Sequence, residues 1–144
     1  MRLSKQLALV ATVATAVLAY DYEELWTPNP DIEPEKLPVL IDEKNYDELV
    51  VDPMTNDIYP GDPWFLLFYV KGCSWCQEFK PEFEELATKL HGNARFGMID
   101  CHQSEYIKES YKINAYPTLL LVYDGMVYEY EGSRTFDSMR AFIK

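Results

Sequence analysis

The sequence predicts an α/β fold in which helices flank a mixed central β-sheet, in the order βαβαββα. Three observations favour this fold. A continuous apolar run, Trp64 to Val70, is typical of a strand buried on both faces of a sheet. A long amphipathic helix follows it, and further along Asp124-Gly125 separates two apolar segments, as a two-residue hairpin turn of the primed type would. Parallel crossovers that precede an antiparallel hairpin and a helix produce a mixed sheet covered by helices.

The helix after the buried strand is the best defined of the predicted helices. Apolar side chains recur on it at spacings of four and three residues, and charged residues occupy positions between them. Gly92 offers a natural end, since glycine readily adopts the conformation that terminates many helices. The apolar stripe consists of Trp75, Phe79, Phe83, Leu86 and Leu90.

The remaining elements are shorter. Apolar segments bounded by turn residues predict strands, and mixed polar segments between them predict helices. Residues 52–63 form a loop, because they contain three prolines and a glycine. In chain order we expect a strand at 39–41, a helix at 45–50, a strand at 96–100, a helix at 104–111, strands at 118–123 and 126–131, and a helix at 136–143.

Two segments precede the predicted domain, which spans residues 39–144. In residues 1–19, Arg2 and Lys5 come before an uncharged apolar run that ends at Ala19. This is the pattern of a cleaved secretory signal peptide, with a membrane anchor or a buried helix as the alternative; the run is short for a membrane-spanning helix. Residues 20–38 are acidic and contain four prolines, which predicts a mostly extended leader. Signal cleavage would place the domain in an oxidising compartment, where disulfides persist.

The charge balance argues against two classes of partner. The chain carries 13 Lys+Arg against 24 Asp+Glu, a formal net charge of −11. Nucleic acid and anionic lipid both attract basic surfaces. We therefore expect no nucleic-acid partner and, after signal cleavage, no attachment to a membrane.

A Cys-x-x-Cys motif, Cys73-Ser74-Trp75-Cys76, lies where the buried strand passes into the long helix. At the start of a helix, free backbone amides and the helix dipole favour an anion, so the pKa of a thiol falls there. Cys76, nearly one turn further in, can face Cys73 and is more enclosed. This arrangement suits an exposed nucleophilic thiol and a buried resolving thiol.

The motif has two other interpretations. It could be half of a zinc site, for which only Cys101, His91 and His102 are candidate further ligands. Cys101 and His102 are adjacent, so a strand would point them to opposite faces. The pair could also be an inert structural disulfide. We expect no metal.

From about Val39 to the end, the sequence resembles a thioredoxin-fold domain of the protein disulfide isomerase family. Four segments at matching separations carry the resemblance. They are the strand Trp64 to Tyr69; the stretch from Cys73 to Pro81, similar to the family's C-x-x-C-x-x-[apolar]-x-P helix; Ala115-Tyr116-Pro117-Thr118-Leu119, similar to its cis-proline loop; and Tyr130-Glu131-Gly132-Ser133-Arg134-Thr135, similar to its Tyr-x-Gly-x-Arg-[ST] segment.

The resemblance implies a role for each of several residues. Cys73 would attack a substrate sulfur, and Cys76 would resolve the mixed disulfide. The Tyr116-Pro117 bond would be cis, with the Tyr116 backbone presented to an extended substrate. Arg134 would approach Cys76 and ease its deprotonation, unless it is a plain surface charge. The resemblance implies no metal or organic cofactor, only cysteine-containing client proteins and a redox partner, either glutathione or an oxidase.

The sequence departs from the family pattern at two positions beside the motif. Trp75 replaces a histidine that stabilises the nucleophilic thiolate, so we expect a less oxidising disulfide than the usual isomerase centre. Leu67 replaces a buried carboxylate that accepts the proton of the second cysteine, so we expect slow resolution by Cys76. Trp75 itself is either an exposed contact for unfolded clients or packed under the cis-proline loop.

Cys101 is left over by the spacing of the other two cysteines. We expect a partly buried free thiol that fills space, with a mixed disulfide to another chain as the alternative.

These observations predict a thiol–disulfide oxidoreductase, similar to protein disulfide isomerase, that acts on cysteines of secretory-pathway proteins. Its location would be the lumen of the endoplasmic reticulum or outside the cell. A rival of another class is a thioredoxin-fold chaperone or adaptor that binds unfolded or partner proteins with weak redox turnover, which the departures at Trp75 and Leu67 favour. A secreted reductase of thioredoxin type is a third interpretation.

Overall fold

The computed structural model describes residues 28–52, 54–55, 57–58 and 60–144. The predicted signal peptide and the start of the leader lie outside these residues. The described end of the leader is interrupted by a short 3-10 helix, Pro34–Lys36, which the sequence did not predict. Proline begins this helix because its fixed φ suits a first helical position. Among the described residues, no helix combines the length and apolarity needed to cross a membrane.

The strands and helices follow the predicted order. Counted from the buried strand onward the order is βαβαββα, and one short strand and one short helix precede it. The elements are β1 (Val39–Leu40), α1 (Tyr46–Leu49), β2 (Trp64–Tyr69), α2 (Ser74–Lys89), β3 (Arg95–Asp100), α3 (Glu105–Ser110), β4 (Thr118–Tyr123), β5 (Met126–Glu129) and α4 (Phe136–Ile143).

Within the described residues, five strands form one mixed sheet in the order β1-β3-β2-β4-β5, as the predicted fold class requires. β2 pairs with β3 in parallel and with β4 in antiparallel orientation, so it lies at the centre. All six of its residues are buried, which explains the uninterrupted apolar run. The turn between β4 and β5 is of the predicted primed type, because Asp124 and Gly125 both have positive φ, 51° and 73°.

Two apolar layers cover the sheet, one on each face. The side chains of β2 alternate between them: Phe65, Leu67 and Tyr69 join the layer under α2 and α4, while Leu66 and Phe68 join the layer under α1 and α3. The amphipathic stripe of α2 supplies much of the first layer. This packing holds α2 against the centre of the sheet, with its first turn beyond the end of β2.

The described end of the leader is attached to α2. The backbone amide of Asn29 donates a hydrogen bond of 3.1 Å to the Glu84 carboxylate, which also pairs with Lys80 at 3.6 Å. Glu84 is buried, so both contacts compensate a charge that has left water. The leader therefore packs along the helix that carries the Cys-x-x-Cys motif.

Candidate active site

Three segments meet at one edge of the sheet. The motif follows β2, and Cys101 follows β3; these strands are parallel, with Tyr69 opposite Asp100, so they end side by side. The residues just before β4 reach the same edge, because β4 is antiparallel to β2 and Thr118 pairs with Phe68. The topology thus brings the motif, Cys101 and the proline loop together, although they are distant in sequence.

A tight turn leads from β2 into α2. Gly72 has a φ of +83°, a value that side-chain-bearing residues rarely adopt. The Cys73 amide closes the turn with a 3.3 Å hydrogen bond to the carbonyl of Val70. Glycine before the first cysteine therefore lets the chain reverse direction and begin a helix at once.

Cys73 caps the N-terminus of α2 and forms a disulfide with Cys76. The Cα atoms of the two residues are 5.2 Å apart, and the Cys73 sulfur accepts a 3.2 Å hydrogen bond from the Cys76 amide. After reduction the same amide and the helix dipole would stabilise negative charge on that sulfur. The N-cap position thus favours a reactive thiolate at Cys73.

The two cysteines differ in exposure, as predicted. Cys76 is 4% exposed and belongs to the layer under α2 and α4, whereas Cys73 is only partly buried and packs against the edge of that layer. Cys73 is therefore the more accessible sulfur of the pair.

The proline loop has the predicted backbone conformation, since the Tyr116-Pro117 bond is cis. Pro117 is buried, and Tyr116 is partly buried between both apolar layers. The Thr118 hydroxyl donates a 2.6 Å hydrogen bond to the carbonyl of Ala115 and holds the loop closed. The loop lies at the same sheet edge as the cysteines.

Leu67 is fully buried in the same apolar layer as Cys76. It pairs with Met98 on one side and with Leu119 on the other. The position that the family pattern gives to a carboxylate is therefore surrounded by hydrocarbon in this chain.

Trp75 is exposed: of its two predicted placements, the structure has the outward one. Its side chain is 66% exposed and lines a groove along α2 with Glu78, Phe79, Glu82 and Arg134. Arg134 is an exposed residue of that groove, and its predicted effect on the pKa of Cys76 stays a prediction. Sequence reasoning did not assign Glu78 and Glu82 to the site, although their spacing from Trp75, three and seven residues, puts them on one helix face.

Cys101 is a free thiol, as predicted, but it is fully rather than partly buried. Its amide donates to the Tyr69 carbonyl at 2.9 Å, which ties it to the end of β2. Burial raises the pKa of the Cys101 thiol to about 11, and an interaction with Tyr116 offsets part of this rise. Within the described part of the chain, no three His, Cys, Asp or Glu side chains gather as metal ligands.

We expect Cys101 to resist alkylation in the folded, reduced protein, because its thiol is buried and forms little thiolate near neutral pH. With iodoacetamide at pH 8, Cys73 should be labelled first and Cys101 only after denaturation, as read by mass spectrometry of the peptides. Labelling of Cys101 in the folded protein at the rate of a free thiol would contradict this placement.

The same shift predicts how stability depends on pH. The folded pKa lies above the ordinary value of 9.0, so the unfolded chain ionises Cys101 first as the pH rises. The contribution of the neutral Cys101 thiol to the free energy of unfolding is fully present below pH 9.0. It is lost as the pH rises from there towards the folded pKa of about 11. The free energy of unfolding of Cys101→Ala should fall less over this range than that of the wild type; parallel profiles would contradict the shift.

A disulfide that caps a helix at the end of the central strand, with one sulfur accessible and a cis-proline loop beside it, defines a thiol–disulfide oxidoreductase of the thioredoxin fold. The thioredoxin family model matches residues 38–144, and the chain belongs to that family. Within it, the chain is similar to a protein of the disulfide isomerase type.

Three comparisons illustrate the relationship. The chain is 33% identical to a thioredoxin domain-containing protein of Theileria parva over 105 residues, which cover 72% of this chain and 46% of that protein. It is 34% identical to protein disulfide isomerase-like 1-3 of Arabidopsis thaliana over 113 residues, which cover 78% of this chain and 19% of that protein. Human ERp44 in its zinc-bound form superposes with a TM-score of 0.63 at 28% identity, over 74% of this chain and 29% of that one. The chain thus spans less than half the length of each of these relatives.

Proposed function

We propose that the protein catalyses thiol–disulfide exchange on cysteine-containing clients of the secretory pathway, in the manner of a protein disulfide isomerase. The observation that carries the proposal is the disulfide at the N-terminus of α2, with Cys73 accessible and Cys76 buried behind it. The signal-peptide pattern of residues 1–19 supports a location in the endoplasmic reticulum lumen or outside the cell.

The exchange proceeds in two steps that balance. The Cys73 thiolate attacks one sulfur of a client disulfide, forms a mixed disulfide and releases the other client sulfur as a thiolate. The Cys76 thiolate then attacks the Cys73 sulfur and releases the second client thiolate. The client has gained two electrons, and the protein is left with its Cys73–Cys76 disulfide. The reverse sequence oxidises a client, and glutathione or an oxidase resets the pair.

The surrounding residues have supporting roles in this proposal. The Tyr116-Pro117 loop presents backbone to the client beside the reactive sulfur. Trp75 offers an exposed aromatic contact next to Cys73. Arg134 lines the groove along α2. Its role of easing deprotonation of Cys76 rests on the resemblance to the family.

A Cys76→Ser variant tests the proposal, because it removes the second step and leaves the first. We expect mixed disulfides through Cys73 to accumulate with client proteins on non-reducing gels and to disappear in the Cys73→Ser/Cys76→Ser double variant. Client binding that persists unchanged in the double variant, with no covalent adduct in Cys76→Ser, would instead identify the adaptor. Two observations favour the adaptor function as a second candidate: the apolar surroundings of Cys76 and the exposed side chain of Trp75.

Leu67→Glu should speed turnover several-fold in an insulin-reduction assay. The new carboxylate would lie in the layer that holds Cys76 and would accept its proton, and a positioned base contributes typically about 10²–10⁴-fold to a proton transfer. Leu67→Gln is the matched control, since it introduces similar volume and polarity without a base. An equal rate in both variants, with both folded, would show that the missing carboxylate at position 67 does not slow resolution by Cys76.

A further inference from the structure

The groove beside the redox pair has a definite shape. It has a volume of about 310 Å³ and is lined by Trp75, Glu78, Phe79, Glu82 and Arg134. Glu78, Phe79 and Glu82 lie three, four and seven positions after Trp75, so the four residues form one stripe along α2. The stripe begins between the two cysteines. Trp75, the first residue of the stripe, lies two positions after Cys73, so the groove is within reach of residues that neighbour a sulfur attached to Cys73.

The lining combines apolar surface with an excess of negative charge. Phe79 is 4% exposed and forms part of the apolar layer, and the exposed indole of Trp75 adds to the apolar lining. Glu78 and Glu82 contribute two carboxylates, against one guanidinium from Arg134. An occupant that matches this lining has an apolar stem and a cationic head.

Lysine and arginine side chains have this form. Their methylene stems pack on aromatic surface while their charged ends stay near carboxylates and water. A cation above the indole face gains a further attraction from the ring. An acidic side chain would meet two carboxylates, whose repulsion one arginine does not cancel. The net charge of −11 over the chain adds attraction at longer range for a basic segment.

We propose that this groove selects client segments that carry a lysine or arginine a few residues from the reactive cysteine. The inference rests on the proposed function, because it assigns a preference among clients to the same site. Glu78 and Glu82 are the residues that set this preference, and Trp75 provides the surface along which the basic side chain lies.

Three peptides that differ at one position test the preference. Each carries a cysteine activated as a mixed disulfide, with arginine, glutamine or glutamate at the same position two residues away. The rate constant for release of each peptide thiol by the reduced protein is measured at low ionic strength. We expect the arginine peptide to react roughly five- to tenfold faster than the glutamine peptide, the combined effect of one exposed ion pair and one cation–π contact. The glutamate peptide should be slowest, and added salt should narrow the differences.

Two double variants separate the groove from the overall charge. In Glu78→Gln/Glu82→Gln the ratio of the arginine to the glutamine rate should fall roughly twofold or more, to the part that the cation–π contact with Trp75 contributes. Glu105→Gln/Glu109→Gln removes the same charge at the same spacing from exposed positions of α3, and should keep the wild-type ratio. Equal loss of the ratio in both variants would overturn the groove as its source.

The outcome also distinguishes this inference from the function on which it rests. Equal wild-type rates for all three peptides would overturn the selectivity and leave thiol–disulfide exchange intact. A failure of every peptide to react with Cys73 would overturn the proposed function and this inference together.

Discussion

Replacing Cys73 with serine is expected to lower the rate of insulin reduction by at least about 100-fold, because a thiolate is the nucleophile and a serine hydroxyl does not ionise in its place. Cys73 is the accessible sulfur of the pair and holds the N-cap position of α2. Serine is also a favourable N-cap residue, so the variant should keep the helix and the fold. The loss would then report chemistry rather than unfolding, which circular dichroism can verify.

Cys101→Ala is the matched control for this experiment. It removes a thiol of the same chain, but one that is buried. We expect it to keep most of the wild-type rate. Turnover that survives in Cys73→Ser and is lost in Cys101→Ala would contradict the assignment of the nucleophile.

Phe65→Ala is expected to lower the free energy of unfolding by about 3–5 kcal/mol, the usual range when a buried phenylalanine is truncated. Phe65 lies on the central strand and is fully buried. Its ring centroid lies 6.1 to 6.4 Å from those of four other aromatic residues, so its removal leaves a cavity that several rings border. These residues are Phe83, Phe96, Tyr130 and Phe142. The loss is a large share of the roughly 5–15 kcal/mol that is typical of a domain.

Chemical denaturation monitored by fluorescence or circular dichroism measures this loss. Tyr106→Ala is the control, since Tyr106 is also aromatic but is 66% exposed, and exposed substitutions change stability by only about 0.5 kcal/mol. A Phe65→Ala variant as stable as Tyr106→Ala would contradict the placement of the core between the sheet, α2 and α4.

Much of the fold could be predicted from the sequence, because burial leaves a periodic pattern. The apolar run of β2 indicates burial on both faces of the strand, and the apolar stripe of α2 indicates which face of the helix is buried. Asp124-Gly125 predicts the hairpin turn between β4 and β5. The short helix at Pro34–Lys36 was missed, since several prolines also fit an extended chain. Local pattern alone does not decide between these conformations.

The site was predictable in its chemistry but not in its surroundings. The redox pair could be predicted from the spacing of Cys73 and Cys76 and from the position of Pro117. The burial of Cys101 could not, because it depends on which strands end beside this residue. The outward direction of Trp75 and its grouping with Glu78, Glu82 and Arg134 depend on how α2 packs against the sheet. Such contacts between distant segments arise from tertiary packing.

The reduction potential of the Cys73–Cys76 pair is the most direct test of its redox function. The Cys101→Ala variant, equilibrated with glutathione buffers, quenched in acid and alkylated, reports the oxidised fraction by mass spectrometry. We expect one reversible two-electron transition. Its potential should lie below the roughly −180 mV of protein disulfide isomerase and above roughly −300 mV, the value below which structural disulfides lie. A transition at or above the first value would contradict the expected effect of Trp75. A pair that stays oxidised at potentials more negative than roughly −300 mV would be a structural disulfide, and this result would contradict the redox function.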